Sequence, residues 1–398
     1  MNPFFLPFWK TYLFEFPIIN RFLTCHIRFA FNHTFFSYLT ITVRRFILTG
    51  KKRIIQCVTK DFLRFQGNGI MKKSKTSVSI IIAAYKGEKY IGALIRSLFS
   101  QTLLPDEILI GDDSSDDLTE KAVQAVLKDA PESIRITYFR NPQPFGVVQN
   151  FSKLAELAAG EYIFFCDQDD IWLENKVKVM VDAMIDHPDR DLGACDSIRT
   201  TADLQPAERV VNPKCLSDRD GEFFRNIWKI SGIFPGHNLV LRKSGKSGVL
   251  PFPEGFLEYH DRWMILFYGV KNKIIYKDQV LTLYRIHENN VSKPQTHGYN
   301  MSFFERLHEI RMKSGKDLQQ TLEQYLQYRE LLLERIPFDQ LPVANVSYMN
   351  DSISFFQWRV RNHNRKLHIF RMIGAILHFP GYFRFSNGIH SFLRDCIF

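Results

Sequence analysis

The feature that most constrains this chain is a fourfold alternation between residues 77 and 167. "SVSIIIAAY", "DEILIGDD", "SIRITYF" and "GEYIFFCD" are short apolar runs, rich in β-branched residues and of buried-strand length. Between them lie amphipathic stretches near Lys89–Ser100, Thr119–Leu127 and Val147–Ala159. Strands and helices alternating at this spacing predict parallel βαβ units covered on both faces, an α/β fold. Such sheets bind ligands beyond the carboxyl ends of their strands. The polar clusters fall at those ends: Tyr85 after the first strand, Asp112 and Asp113 after the second, Asp167 and Asp169 after the fourth.

The stretch "EYIFFCDQDDIW" puts Asp167, Asp169 and Asp170 into four positions. Neighbouring carboxylates repel and raise one another's pKa unless a cation or several donors meet them. From these residues alone two readings stand open, a solvated acidic turn capping a helix near Trp172–Asp186 or a metal site. Asp112 and Asp113 are equally a helix N-cap or a site for a base, since a carboxylate accepts the N3–H of uracil or thymine. The ring of Tyr85 either covers that base or closes the core edge.

After Asp186 the pattern becomes mixed, with "LGACDS", "HNLVLR", "KIIYK" and "VLTLYR" as short strand candidates. "FLEYHDRWMILFYGV" predicts a helix whose first turn carries Glu258, His260 and Asp261. Beyond His297 the chain reads as helices, including "DLQQTLEQYLQYRELLLERI", with the domain boundary expected near Val291–Gly298.

The net charge of +10 suggests a nucleic-acid partner until it is located along the chain. Residues 1–70 hold ten Lys or Arg against Glu15 and Asp61, so they carry +8 of it. The remainder is close to neutral, which excludes a basic groove for nucleic acid. The six cysteines form no CxxC pair, so neither a zinc cage nor a disulfide framework is expected and a reducing cytoplasmic location fits. Thirteen of the 36 phenylalanines lie in residues 1–70 without helical or strand period, and the segment is too interrupted by charge to serve as a membrane span or signal peptide. At "GNGIMKKSK" the texture changes abruptly, and Met71 is the expected start, with residues 1–70 an upstream extension; the competing reading is a basic aromatic arm on a membrane surface.

In their order, "VSIIIAAYKGEKYIGALIRSLFSQT", "DEILIGDDSSDD", "GEYIFFCDQDDIW", "GHNLVLR", "YHDRW" and "LYRIHENNV" resemble family 2 glycosyltransferases over about residues 77–293. They look most like the rhamnosyltransferase-type branch that builds bacterial surface polysaccharides. The resemblance implies a GT-A fold over residues 71–298 with a helical region at 299–398, a nucleotide-sugar donor (dTDP- or UDP-linked), Mg²⁺ or Mn²⁺, and inversion at the anomeric carbon. A diphosphate leaving group develops negative charge that a metal neutralises, and carboxylates suit such hard cations. By the resemblance Asp169 is the metal ligand and Asp167 faces ribose or donor sugar, while Asp170 is expected to cap the following helix.

The family also implies Asp113 as the base-recognising acid, with Ala84 and Tyr85 on the nucleotide side. Asp261 is the implied general base, next to His260 where relatives usually carry an acid; the competing reading pairs Asp261 with Arg262. His287 matches a position that completes the metal or pyrophosphate site, and Arg285 is a candidate phosphate partner. Gly236 either lets backbone approach the acceptor cleft or merely starts a strand. The leading expectation is transfer of a deoxyhexose such as L-rhamnose from a dTDP-sugar to a glycan or lipid-linked acceptor; a UDP-hexose donor and a catalytically silent scaffold are the alternatives. A nucleotidyltransferase would show a Gly-rich phosphate loop after the first strand, where only Gly87 stands. The tail "NRKLHIFRMIGAILHFPGYFRF" either packs on the catalytic domain or lies in a lipid headgroup region, a peripheral contact at the inner face of the cell membrane.

Overall fold

The computed structural model describes two short strands, Thr24–Ile27 and Leu39–Thr42, and residues 76–210, 222–229, 234–256, 259–288, 290, 315–365 and 368–397. Two units result, Met1–Ser74, in which those two strands pair antiparallel, and Lys75–Phe398. The expected start at Met71, Glu258, Lys366 and the boundary at Val291–Gly298 lie outside the described residues. All that follows concerns the second unit.

The alternation produces β1 (Val78–Ala84), α1 (Ile91–Phe99), β2 (Glu107–Asp112), α2 (Leu118–Leu127), β3 (Arg135–Arg140), α3 (Val147–Leu157) and β4 (Tyr162–Asp167). These strands run parallel in the order β3-β2-β1-β4. The side chains of β1 are buried on both faces, which is why the run is continuously apolar rather than alternating. Ile80 and Ile82 pack with Ile91, Leu94 and Leu98 of α1 on one face, while Ile81 joins Phe151 and Leu154 of α3 on the other. The register sets Ala84 opposite Asp112 and Ala83 opposite Asp167, so the residues that follow all emerge at one edge.

Beyond β4 the sheet turns mixed. After β5 (Ile171–Trp172) and α4 (Lys176–Asp186) come β6 (Leu192–Thr200), β7 (Pro206–Arg209), α5 (Glu222–Lys229), β8 (Leu239–Arg242), α6 (His260–Val270) and β9 (Ile274–Arg285). The order continues β4-β8-β6-β9-β5, with β8 antiparallel to both neighbours, β9 parallel to β6, and β7 paired with β6. "KIIYK" and "VLTLYR" prove to be one strand, β9, whose register shifts against β6 between Tyr276 and Thr282 absorb the polar middle.

The helix expected near Trp172 begins at Lys176 instead. Trp172 is buried against Phe164, and Ile171–Trp172 stay extended to pair with Thr282 and Leu283 of β9. Asp170 therefore cannot cap that helix.

The helices α7 (Gly315–Arg335), α8 (Val343–His363), α9 (His368–Leu377), α10 (Phe379–Phe385) and α11 (Ile389–Ile397) complete the unit. Tyr325, Tyr328 and Phe356 share one core with Trp228 and Trp263, so sheet and helices form one compact body. α6 is buried from Arg262 to Val270, and an all-round apolar helix belongs at such a centre. No described helix is long and apolar enough to cross a membrane.

Candidate active site

The acids after β4 meet donors on every side. Gln168, between them, joins the end of β1 twice: its Oε1 accepts the Tyr85 N–H at 3.0 Å and its Nε2 donates to the Tyr85 carbonyl at 2.8 Å. Asp169 Oδ2 lies 2.8 Å from His287 Nε2 and accepts from Asn290 Nδ2 at 3.3 Å. His237 Nδ1 stands between Asp167 Oδ2 at 3.2 Å and Asp170 Oδ2 at 3.1 Å. Its Nε2 faces Ser197 Oγ at 3.2 Å, which the Asn238 amide holds in turn. This arrangement answers the like-charge crowding more fully than a solvated turn does.

The three carboxylates are not equivalent. Burial pushes Asp170 well above the usual carboxylate range, with the charges of Asp169 and Asp167 adding to it. Burial and the charge of Asp167 also raise Asp169, against the opposing hydrogen bond from His287. Burial opposes ionisation of Asp167 as well, but the hydrogen bond from His237, a ring whose own pKa burial lowers, prevails and holds the Asp167 pKa down. Separate environments thus divide one acidic stretch into distinct electrostatic states.

Several residues in this cluster escaped the sequence reading, Lys176 and His237 foremost. Lys176 is buried, donating to the His237 carbonyl and to Thr282 Oγ1, each at 2.7 Å, with its ammonium 3.7 Å from the Trp172 ring centre. Its signal was a lysine beside the buried Val177 and Met180 positions of α4. His237 directly follows Gly236 in a polar "GHN" run ahead of a strand. Tyr90 also belongs here, its ring 4.7 Å from both the His287 ring and the Arg285 guanidinium.

Arg285 stands otherwise than an open phosphate clamp. It is buried, its Nε donates to the Asp169 carbonyl at 2.8 Å, its Nη1 to the Ala202 carbonyl, and its backbone N–H to Asp170 Oδ1 at 3.0 Å. Its donors fix the acidic turn. Asp170, expected as a helix cap, is instead the fully buried partner of this backbone and of His237.

Two donor sets fit a divalent cation. Asp167, Asp170 and His237 bring one ligand atom each within 4.8 Å of one another, and Asp170 Oδ2 is buried without a well-formed hydrogen bond. Asp169 and His287 form the second set, each side chain 13% exposed. Mg²⁺ and Mn²⁺ at phosphate-handling sites keep coordination positions for phosphate and water. In the first set only Asp167 reaches solvent, its side chain 36% exposed while His237 and Asp170 are fully buried, whereas both members of the Asp169–His287 pair are partly exposed.

At the carboxyl end of β1, Tyr85 is 53% exposed. The Ala84 carbonyl accepts the Asp113 N–H at 2.9 Å. The Asp113 carboxylate accepts from Asn141 Nδ2 (2.8 Å), Phe145 N–H (3.1 Å) and Gly146 N–H (2.9 Å), closing the loop before α3. Three donors leave about one of a carboxylate's four acceptor directions, on a side chain that is buried. Asp112 faces inward, bonded to Ser114 and Tyr138.

At the third corner His260 and Asp261 open α6. Asp261 Oδ1 accepts the Arg262 N–H at 2.6 Å, whereas the Arg262 side chain turns away to the carbonyls of Ile227 and Trp228. His260 is buried between the rings of Phe151, Phe165 and Phe252 with neither ring nitrogen hydrogen-bonded, and burial lowers its pKa to about 4 against the nearby charge of Asp167. A Cβ at Gly236 would stand 2.6 Å from His260 Nε2, so close approach demands glycine there.

The family model described as "Glycosyl transferase family 2" matches residues 79–243. The dTDP-rhamnosyl transferase RfbG of Shigella flexneri is 28% identical over 248 residues, which cover 58% of this chain and 80% of that protein. The β-1,3-glucosyltransferases WfgD and WfaP of Escherichia coli, described as using UDP-Glc, are 33% and 37% identical; in both cases the match covers 27% of this chain and 41% of the relative, less than half of its length. Among solved structures, TarS of S. aureus with UDP-GlcNAc aligns over 79% of this chain and 90% of that chain at 15% identity and a TM-score of 0.46. The mannosyltransferase PcManGT of Pyrobaculum calidifontis with GDP-Man and Mn²⁺ aligns over 80% and 85% at 15% identity and a TM-score of 0.45.

Proposed function

We propose, from the match of residues 79–243 to the glycosyl transferase family 2 model and from the mixed α/β sheet with its acidic turn, that the chain is a metal-dependent inverting glycosyltransferase of GT-A fold. It moves a deoxyhexose such as L-rhamnose from a dTDP-sugar to a glycan or lipid-linked acceptor in polysaccharide assembly. The observation that carries this reading is the convergence, at one sheet edge, of the exposed Tyr85 ring, the Asp113 carboxylate and the Asp167–Asp169 turn backed by His287.

Each residue then has a task. Tyr85 covers the base, and the remaining acceptor direction of Asp113 takes its N3–H. Asp167, held ionised by His237, faces ribose or donor sugar. Asp169 and His287 hold Mg²⁺ or Mn²⁺, which when bound neutralises charge developing on the diphosphate. Asp261 takes the proton from the attacking hydroxyl, a service worth about 10² to 10⁴ in rate. Single displacement by that hydroxyl inverts the anomeric centre.

A UDP-hexose donor is the second reading, favoured by the two UDP-Glc-using relatives. Uracil and thymine share the N3–H, so Asp113 accommodates either. Incubation with a panel of nucleotide sugars and acceptors, followed by measurement of nucleoside diphosphate release, tests both. Acceptor-stimulated dTDP release from a dTDP-deoxyhexose is the expected result; UDP release selects the second reading, and silence across the panel favours a scaffold.

A further inference from the structure

The C-terminal cap presents a surface that the catalytic site does not use. Its inner side is built in detail. The Arg359 guanidinium makes a buried two-point pair with Asp395 at 2.7 and 2.9 Å, and Tyr382 donates to the same carboxylate at 2.8 Å, tying α8, α10 and α11 together. Trp358 of α8 stacks on His378 at 3.8 Å. A Cβ on Gly374 would stand 2.4 Å from Asn362 Oδ1, so α9 lies tight on α8 through its small residues, with Ala375 fully buried.

The outer side is the reverse of an ordinary amphipathic helix. Ile369, Phe370, Ile373, Ile376 and Leu377 of α9 follow the i, i+1, i+4, i+7, i+8 pattern of one stripe. That stripe, which should face a core, is outward: Ile376 is 55% and Leu377 73% exposed. Phe383 of α10 and Ile389 of α11 are exposed as well. An outward face this apolar marks an interaction site rather than scattered surface hydrophobics.

Charge identifies the occupant. From Arg361 to Phe398 the sequence carries six Lys or Arg against one acid, Asp395. That acid is buried in its pair with Arg359, while Arg361, Arg365 and Arg384 are exposed, Arg384 beside Asp351 of α8. A second copy docking on this face about a two-fold axis would set like charges against each other. A surface that is apolar inside and negative outside matches both properties.

We propose that this face, centred on α9, seats the protein on an anionic lipid surface, with the α9 stripe among the acyl chains and the arginines at the headgroups. The helix lies in the interface and does not cross it. This goes beyond the proposed transfer reaction and stands without it.

Co-sedimentation of the full chain with vesicles of phosphatidylcholine alone or mixed with phosphatidylglycerol tests the assignment. Binding is expected to the anionic vesicles, to weaken with salt, and to fall about tenfold or more in Ile373→Glu/Leu377→Glu, because each such side chain is worth roughly an order of magnitude in partitioning. Arg365→Glu should weaken binding while leaving helix content unchanged. Both changes sit at exposed positions, and circular dichroism checks that the fold persists. The proposal is overturned by a wild type that stays in the supernatant with anionic vesicles, as it would if the face served an acidic protein. It is equally overturned if the double variant binds like wild type, or if light scattering shows that the double variant abolishes a dimer while vesicle binding is unchanged.

Discussion

Asp169 and His287 stand 2.8 Å apart across 118 residues of sequence, one at the end of β4 and the other just past β9. These strands are not neighbours in the sheet, since β8 and β6 lie between them. The chain reaches across because β5 follows the acidic turn directly and pairs with β9. The short extended segment that displaced the expected helix is thus what brings acid and imidazole together.

Asp169→Asn keeps the side chain's size and removes the charge that would hold a cation. Donor affinity, measured by calorimetry with and without Mn²⁺, is expected to become metal-independent in this variant. An unchanged response to Mn²⁺ moves the metal to the Asp167, Asp170 and His237 set.

Asp261→Asn should bind donor as wild type does and lose about 10²- to 10⁴-fold in turnover. Turnover within a few-fold of wild type would remove Asp261 from the role of base.

His260 supplies a pH prediction. Its pKa is about 4 in the fold, where burial disfavours the charged ring, and about 6.5 in the unfolded chain. The depressed value means that the unfolded state binds the proton more readily. Its stabilising effect is therefore complete above pH about 6.5 and lost progressively as pH falls to about 4, at up to roughly 1.4 kcal/mol per unit. Urea midpoints at pH 7 and pH 5 should differ more for wild type than for His260→Leu, which also removes two unsatisfied buried nitrogens. Collapse of transfer in this variant while Asp261→Asn stays active would transfer the base to His260.

Arg359→Met leaves the Asp395 carboxylate buried beside Tyr382 without its cation, at a cost of about 3–5 kcal/mol. Arg359→Met/Asp395→Leu should recover much of that loss. Denaturant titration of the three proteins measures it, and equal destabilisation of the single and double variants would show that the pair is not the source.

The parallel half of the fold was legible because β1, β2 and β4 are buried on both faces and so write their burial directly into the sequence. The mixed half was less so. β7 is exposed along its length and carries no apolar pattern, and β9 breaks its pattern where its register shifts. The acids of the site were visible as types, and His287 with them, but most of their partners were not. Lys176, His237 and Asn141 become site residues only through pairings at long range in sequence, which spacing does not encode. Arg285 shows the converse: the last residue of β9, a candidate phosphate partner by its type, it gives its Nε and Nη1 to the carbonyls of Asp169 and Ala202.

The paired amide bonds of Gln168 carry a thermodynamic consequence. They splice the backbone bearing Tyr85 to the turn bearing Asp167 and Asp169, so ordering either segment restricts the other. For a nucleotide and a cation bound as proposed, the two would then share one conformational entropy, and whichever bound first would lower the ordering cost left to its successor. By reciprocity each should tighten the other by the same factor, even without a direct bond between them.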